Sequence, residues 1–171
     1  MVNSNELLYV VDEFDVKIDP KPRHKVFKEG LWRRTTHVWI INKKKKILVQ
    51  RRSHKKTHSP GLWEPASAGH MGPEDNYYTG AVREVWEETG LSINPSDLKL
   101  LKIYKDHEKK EFTGVFYCEL DVEPYHIKME EDEVDEVKMI SINTLKKHLL
   151  YKKSEKWISH GYEREIFAVL D

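Results

Sequence analysis

The stretch Gly69–Leu91, GHMGPEDNYYTGAVREVWEETGL, decides how this chain is read. It holds Glu84, Glu87 and Glu88 within five positions, directly after Arg83. Like charges at i,i+4 cost a helix about 0.2–0.5 kcal/mol per pair, so the crowding asks for a compensating partner. The spacing predicts a helix from about Asn76 to Thr89, with Gly90 as its C-terminal stop. At roughly 100° per residue the three glutamates fall within one third of the circumference. Tyr78, Ala81, Val82, Val85 and Trp86 are expected on the opposite side as the core-facing stripe. Taken alone, an acidic helix face is ordinary solvated surface. It becomes favourable when a divalent cation neutralises it. Hard cations such as Mg²⁺ take oxygen ligands and are commonly shared between a few carboxylates and a substrate's phosphates.

Outward from this stretch, short β-rich runs alternate with a few helical ones. Leu7 to Val16 reads as a strand running into an acidic turn, and Pro20 and Pro22 mark a connector. Thr36 to Asn42 and Ile47 to Arg51 read as strands joined by a solvated lysine turn, Lys43 to Lys46. Ser53 to Gly69 reads as irregular, with Pro60, Gly61 and Pro65 breaking any helix. Leu98 to Tyr104 and Phe112 to Leu120 are further strands. Glu130 to Ile140 turns from acidic to apolar and leads into helical spacing at Ile142 to Leu150, and Tyr162 to Leu170 is a last helix. The expectation is a single α+β domain over residues 1–171, a mixed sheet between helices.

The chain has 171 residues, with Lys+Arg and Asp+Glu both 29. A formal charge of zero removes any general electrostatic case for nucleic-acid partners. No apolar run approaches the ~18 residues of a membrane span, and the start carries no signal-peptide pattern, so a cytoplasmic protein without a membrane partner is expected. One cysteine, Cys118, excludes an intrachain disulfide and the usual zinc-binding cysteine sets. It sits in a strand pattern as a small core hydrophobe. The pattern assigns no oligomeric state.

Gly69, five residues, Asp75, seven residues, then Arg83-Glu84-Val85-x-Glu87-Glu88-x-Gly90-Leu91 resembles the Nudix box. The resemblance implies the Nudix fold, an α/β/α sandwich, and a pyrophosphohydrolase using Mg²⁺ or Mn²⁺. It makes Glu84 and Glu88 the principal metal ligands with Glu87 beside them and the Ala68 carbonyl as a further oxygen ligand. Arg83 would orient Glu84 through a charge-assisted hydrogen bond. The departure is Asp75, where the family has Glu. A shorter acid is expected to pair with Arg83 more weakly or through water.

Val11-Asp12-Glu13, Gly30-Leu31, Val38 to Asn42, Gln50 to Ser53 and Pro60 to Trp63 extend the resemblance to the branch that holds isopentenyl-diphosphate isomerases. That branch places a catalytic cysteine in Cys-Gly-His, where this chain has Ala68-Gly69-His70. One histidine-ligand position is held by Arg33, and the paired glutamates fall on Lys109 and Glu111. Alanine moves no proton, so hydrolysis is the expected reaction and isomerisation the alternative. A non-catalytic nucleotide-binding Nudix module is a third reading, opposed by the intact set of box carboxylates. His70, a lone histidine, is expected to be a hydrogen-bonding residue. Glu111, ahead of Glu108, is the downstream candidate for the catalytic base beside the box residues Glu84 and Glu87. Arg51 and Arg52 either hold phosphate or flank the hairpin. Trp32, Trp39, Trp63, His58 and Tyr104 either stack on a base or line the core, with Trp39 assigned to the core. The substrate class is a small diphosphate: nucleoside di- or triphosphate, nucleotide sugar or prenyl diphosphate.

Overall fold

Strand periodicity sorts this chain into layers. The computed structural model describes residues 5–65, 67–151 and 154–171. Residues 1–4, on which the reading of the N-terminus partly rests, and Ala66, within the stretch read as irregular, lie outside them. The central strands are β3 (Arg33–Ile41), β4 (Lys46–Arg52), β7 (Lys99–Asp106) and β8 (Glu111–Glu119). β3 and β8 run parallel and in register from Arg33 opposite Glu111 to Ile41 opposite Glu119. β7 pairs antiparallel with β8, and β9 (Val134–Ser141) pairs antiparallel with β4.

Successive side chains on a strand point to opposite faces, and the core obeys this. Val38, Ile40, Leu48, Phe116 and Cys118 face helix α2 (Tyr77–Thr89), where Ala81 and Val85 meet them. Trp39, Ile41, Ile47, Val49 and Val115 face the other way, against α3 (Ile142–Lys146) and α4 (Glu163–Leu170). The result is the expected mixed sheet between helices. A two-stranded pair, β1 (Leu7–Leu8) with β2 (Lys21–Pro22), lies apart from it.

Three readings of the sequence need correction. Leu7 to Val16 runs into a turn as expected but holds less strand: only Leu7–Leu8 is strand, Val10 and Val11 form single bridges, and the Asp12 carboxylate accepts from the Phe14 and Val16 amides to close the bend. The proline connector leads into a helix, α1 (Arg23–Glu29), which Gly30 ends in the left-handed region at φ 61°. The stretch read as irregular holds two strands, β5 (Trp63–Pro65) on β4 and β6 (Ser67–His70) on β3. Among the described residues no helix is long and apolar enough to cross a membrane.

Candidate active site

Helix α2 is fixed at both ends. The Asn76 side chain accepts from the Tyr78 and Thr79 amides at 2.9 and 3.0 Å, and Thr79 Oγ1 accepts from the Asn76 amide at 2.9 Å. Gly90 closes the other end at φ 69°, donating to the Trp86 carbonyl at 2.8 Å. The helix therefore starts one residue after the expected position and stops at the expected one.

Its acids do not face solvent as a group. Glu84 and Glu88 are 8% and 5% exposed, while Trp86 is 59% and Tyr78 39% exposed. Glu88 lies only about 20° around the helix from buried Ala81, so the two carboxylates continue the buried face. They point where that face runs past the core into a cleft. Glu87 alone remains at the lip, its side chain 47% exposed.

Strand β6 closes over these carboxylates with its main chain. The Ala68 amide donates to Glu88 Oε2 at 3.1 Å, and Gln50 Nε2 donates to the same oxygen at 3.0 Å. A Cβ placed on Gly69 would lie 1.9 Å from Glu84 Oε2, so only glycine fits there. Burial pushes the Glu84 carboxyl up to about 7 against the pull of Arg83. Burial, aided by Glu64 and Glu84, pushes Glu88 up to about 8. Two buried carboxylates side by side with a main-chain wall form an oxygen-rich donor set, which fits a hard divalent cation. Among the described residues no three His, Cys, Asp or Glu side chains already converge as a closed cage. A cation here would draw its remaining oxygens from the Ala68 carbonyl and from the substrate's phosphates.

Arg83 organises the rim. It donates to Glu84 Oε1 at 2.8 Å, Glu87 Oε2 at 2.9 Å, the His70 carbonyl at 2.9 Å and Asp75 Oδ2 at 2.7 Å. The pairing with Asp75 is direct, contrary to the expected weak or water-mediated contact. The Gly72 amide also donates to Asp75 Oδ2, at 2.8 Å, so the same carboxylate oxygen ties the loop backbone to Arg83.

The cleft measures about 820 Å³ and mixes both signs of charge. Arg23, Arg33, Arg52, Lys56, Lys109 and Lys128 line it together with the box glutamates, Glu111, Glu130 and Glu133. Strand alternation sends Arg52 into the cleft, bonded to Glu64 at 2.7 Å, and Arg51 away to Glu136 and the Trp63 ring. Lys56 is bonded to Glu133. Of the five aromatic candidates, Trp39 is core, Trp63 packs on Trp157 and Trp32 on Phe112. His58 reaches the cleft, and Tyr104 lines only a smaller hollow beside it. Glu64, Glu130 and Glu133 carried no signal of their own in the sequence. Glu64 comes beside Glu88 only because β5 pairs with β4, setting Gln50 opposite Glu64.

Glu111 and His70 meet the third charge, Arg33. Glu111 Oε1 accepts from Arg33 Nη2 at 2.7 Å, and burial raises its carboxyl above the usual range while Arg33 opposes that. His70 Nε2 accepts from Arg33 Nε at 3.2 Å, and Arg23 Nη1 lies 3.2 Å from the other ring nitrogen. Burial, then Arg23 and Arg33, hold His70 well below the usual imidazole range. Where the isomerase resemblance would put a metal ligand, a guanidinium already sits on the remaining glutamate. Glu108 lies in the turn before β8, outside the residues that line the cleft.

A profile of the NUDIX domain family matches residues 31–161. The chain belongs to that family, the Nudix hydrolases. It is similar to an uncharacterized Nudix hydrolase of Clostridium acetobutylicum, 28% identical over 153 residues, covering 84% of this chain and 74% of that protein. It also resembles an isopentenyl-diphosphate Δ-isomerase of Photorhabdus laumondii, 26% identical over 149 residues, covering 83% of this chain and 81% of that protein. In fold, a crystal structure of a Deinococcus radiodurans protein superposes with a TM-score of 0.75 at 18% identity, covering 96% of this chain and 99% of that one. The Nudix box of the sequence and the α/β/α arrangement of the structure thus agree with both kinds of relative.

Proposed function

We propose that this Nudix hydrolase cleaves the diphosphate linkage of a nucleoside diphosphate derivative or a related organic pyrophosphate, using Mg²⁺ or Mn²⁺. The observation that carries the reading is the buried pair Glu84 and Glu88 against the Ala68–Gly69 main chain at the floor of a cleft that also holds arginines and lysines. Glu84, Glu87, Glu88 and the Ala68 carbonyl would hold the cation, which supplies charge neutralisation at the phosphoryl oxygens and a more acidic water. Arg83 keeps Glu84 aimed at that place and ties Glu87 to the same rim. Arg23, Arg52 and Lys56 draw the phosphates in and hold them, and the ion pairs they already make fix where their charges sit.

Water attack at phosphorus needs a carboxylate to take the proton. Glu87 at the lip and Glu111 across the cleft are the candidates, and the raised basicity of Glu111 suits the role. Arg33 takes one oxygen of Glu111 and leaves the other for the cleft. Isomerisation would need a proton donor on the Ala68 side, and Ala68 offers none.

The test is a screen of diphosphate compounds with and without Mg²⁺ and Mn²⁺, with products resolved so that the cleaved bond is known. Cation-dependent release of a phosphate-bearing product, abolished in Glu88→Gln, is expected. Incubation with isopentenyl diphosphate in heavy water is the counter-test. Deuterium in the carbon skeleton, with no diphosphate cleaved, would establish the isomerase instead.

A further inference from the structure

Strand β4 places an amide where its own pattern calls for a hydrophobe. Gln50 shares with Leu48 the face of β4 that is turned to α2, and it is only 1% exposed. Its Nε2 donates to Glu88 Oε2 at 3.0 Å and lies 3.4 Å from Glu64 Oε1. With Glu88 ionised, as a cation ligand has to be, the amide cannot be turned round, because its oxygen would then face two carboxylates. Gln50 Oε1 is left buried, without a partner among the described residues. An unpaired buried carbonyl is unfavourable, so stability does not account for this side chain.

What the amide does hold is one oxygen of Glu88. The Ala68 amide donates to the same Oε2 at 3.1 Å, and no hydrogen bond reaches Glu88 Oε1 among the described residues. Glu88 lines the cleft, so the carboxylate is anchored by one oxygen and presents the other. A single main-chain donor would let it swing about that contact. The second donor comes from another strand, β4 against β6, and removes the freedom. The amide is itself kept in place: strand register sets Glu64 opposite Gln50, and Arg52 fixes Glu64 Oε1 with a bond of 2.7 Å.

We propose that Gln50 is a positioning residue of the cation site, holding Glu88 by Oε2 so that Oε1 is the oxygen offered to the cation. The proposal rests on the divalent-cation reading above and assigns to a residue outside the Nudix box the setting of one ligand oxygen. Groups that hydrogen-bond to a ligating side chain commonly change metal affinity by about 10–100-fold when removed. Glu84 has a different holder, since Arg83 donates to its Oε1 at 2.8 Å. The effect of Gln50 is therefore confined to Glu88, and that confinement is what a test can read.

The test is cation binding and does not depend on turnover. Mn²⁺ affinity is measured by electron paramagnetic resonance, without substrate, for Gln50→Met made in wild type, in Glu84→Gln and in Glu88→Gln. Methionine keeps the length and removes the donor, while Glu64 keeps Arg52 and Glu88 keeps the Ala68 amide. Gln50→Met is expected to weaken Mn²⁺ binding about tenfold in wild type and in Glu84→Gln, and by about twofold or less in Glu88→Gln. Equal weakening in all three backgrounds would mean a general loosening of the core and would overturn the proposal, as would wild-type affinity in Gln50→Met. If Gln50→Met fails to fold, or the backgrounds bind too weakly to titrate, nuclear magnetic resonance of the wild type decides. The Gln50 side-chain amide signals should move with added Mg²⁺ in step with the Ala68 backbone amide, and signals that stay still as Mg²⁺ saturates the site would overturn the proposal. A wild type that binds no divalent cation would remove the cation reading and the proposal with it. Mn²⁺ binding with the expected pattern, but no diphosphate cleaved in the screen, would support the proposal and count against the hydrolase reading alone.

Discussion

Gly69→Ala is the sharpest perturbation of the site, because it adds one methyl and touches no charge. The new Cβ would meet Glu84 Oε2 at 1.9 Å and Cδ at 2.0 Å, where ordinary contact begins at 3.4 Å, so the carboxylate has to retreat about 1.5 Å. Glu84 is buried and bonded to Arg83 at 2.8 Å, which leaves it little room to move aside. Overpacking of this kind costs about 1–3 kcal/mol of stability. A reacting group misplaced by 1 Å can lose about 100-fold in rate. We expect kcat on the substrate identified by the screen to fall by about that factor, with a lower melting temperature. The double variant Gly69→Ala, Glu84→Asp withdraws the carboxylate by one methylene and should recover stability without recovering rate. Thermal melts and steady-state phosphate release on the wild type and the two variants read both effects. Wild-type kcat and melting temperature in Gly69→Ala would refute the close approach of β6 to α2.

Other consequences follow from the same site. The Glu88 carboxyl is raised from 4.5 to about 8, so in chelator its contribution to stability is full below pH 4.5 and is lost as pH rises through 8. Metal-free wild type should therefore lose melting temperature relative to Glu88→Gln between pH 5 and 9, and added Mg²⁺ should reverse the order at the alkaline end; parallel curves would contradict this. Glu111→Gln leaves Arg33 buried without its anion and should cost about 3–5 kcal/mol, whereas Arg33→Met with Glu111→Leu should cost much less in a urea titration. Asp75→Asn should cost about 1 kcal/mol by weakening a partly exposed pair with Arg83, with metal affinity unchanged by calorimetry.

The Nudix box and the four central strands were legible because each carries its own signal: caps, glycine stops and β-rich runs. Helix α1 was missed because its seven residues bury only Val26, too little for a period to show. The available signal was positional, Pro22 ahead of it and Gly30 behind. Strands β5 and β6 were missed because Trp63–Pro65 and Ser67–His70 hold no β-branched residue, and pairing with β4 and β3 makes them strands. The same cause hid the burial of Glu84 and Glu88. A helical wheel orders the faces of α2, but what lies over each face depends on a strand that has no sequence signal. The direct Asp75–Arg83 contact was unreadable for a different reason, since side-chain length alone does not say where the loop backbone places Asp75.

Because β6 meets α2 through an amide hydrogen and a bare Cα, the floor of the site is written in peptide groups. Substitution at Ala68 leaves its amide and carbonyl in place, so the floor can persist while sequence around it drifts. Divergence among descendants of this chain would then be channelled to the side chains around the cleft, where a change alters how a substrate is held without disturbing the floor. Selection for a new substrate has a short path here, and selection for a new chemistry a long one.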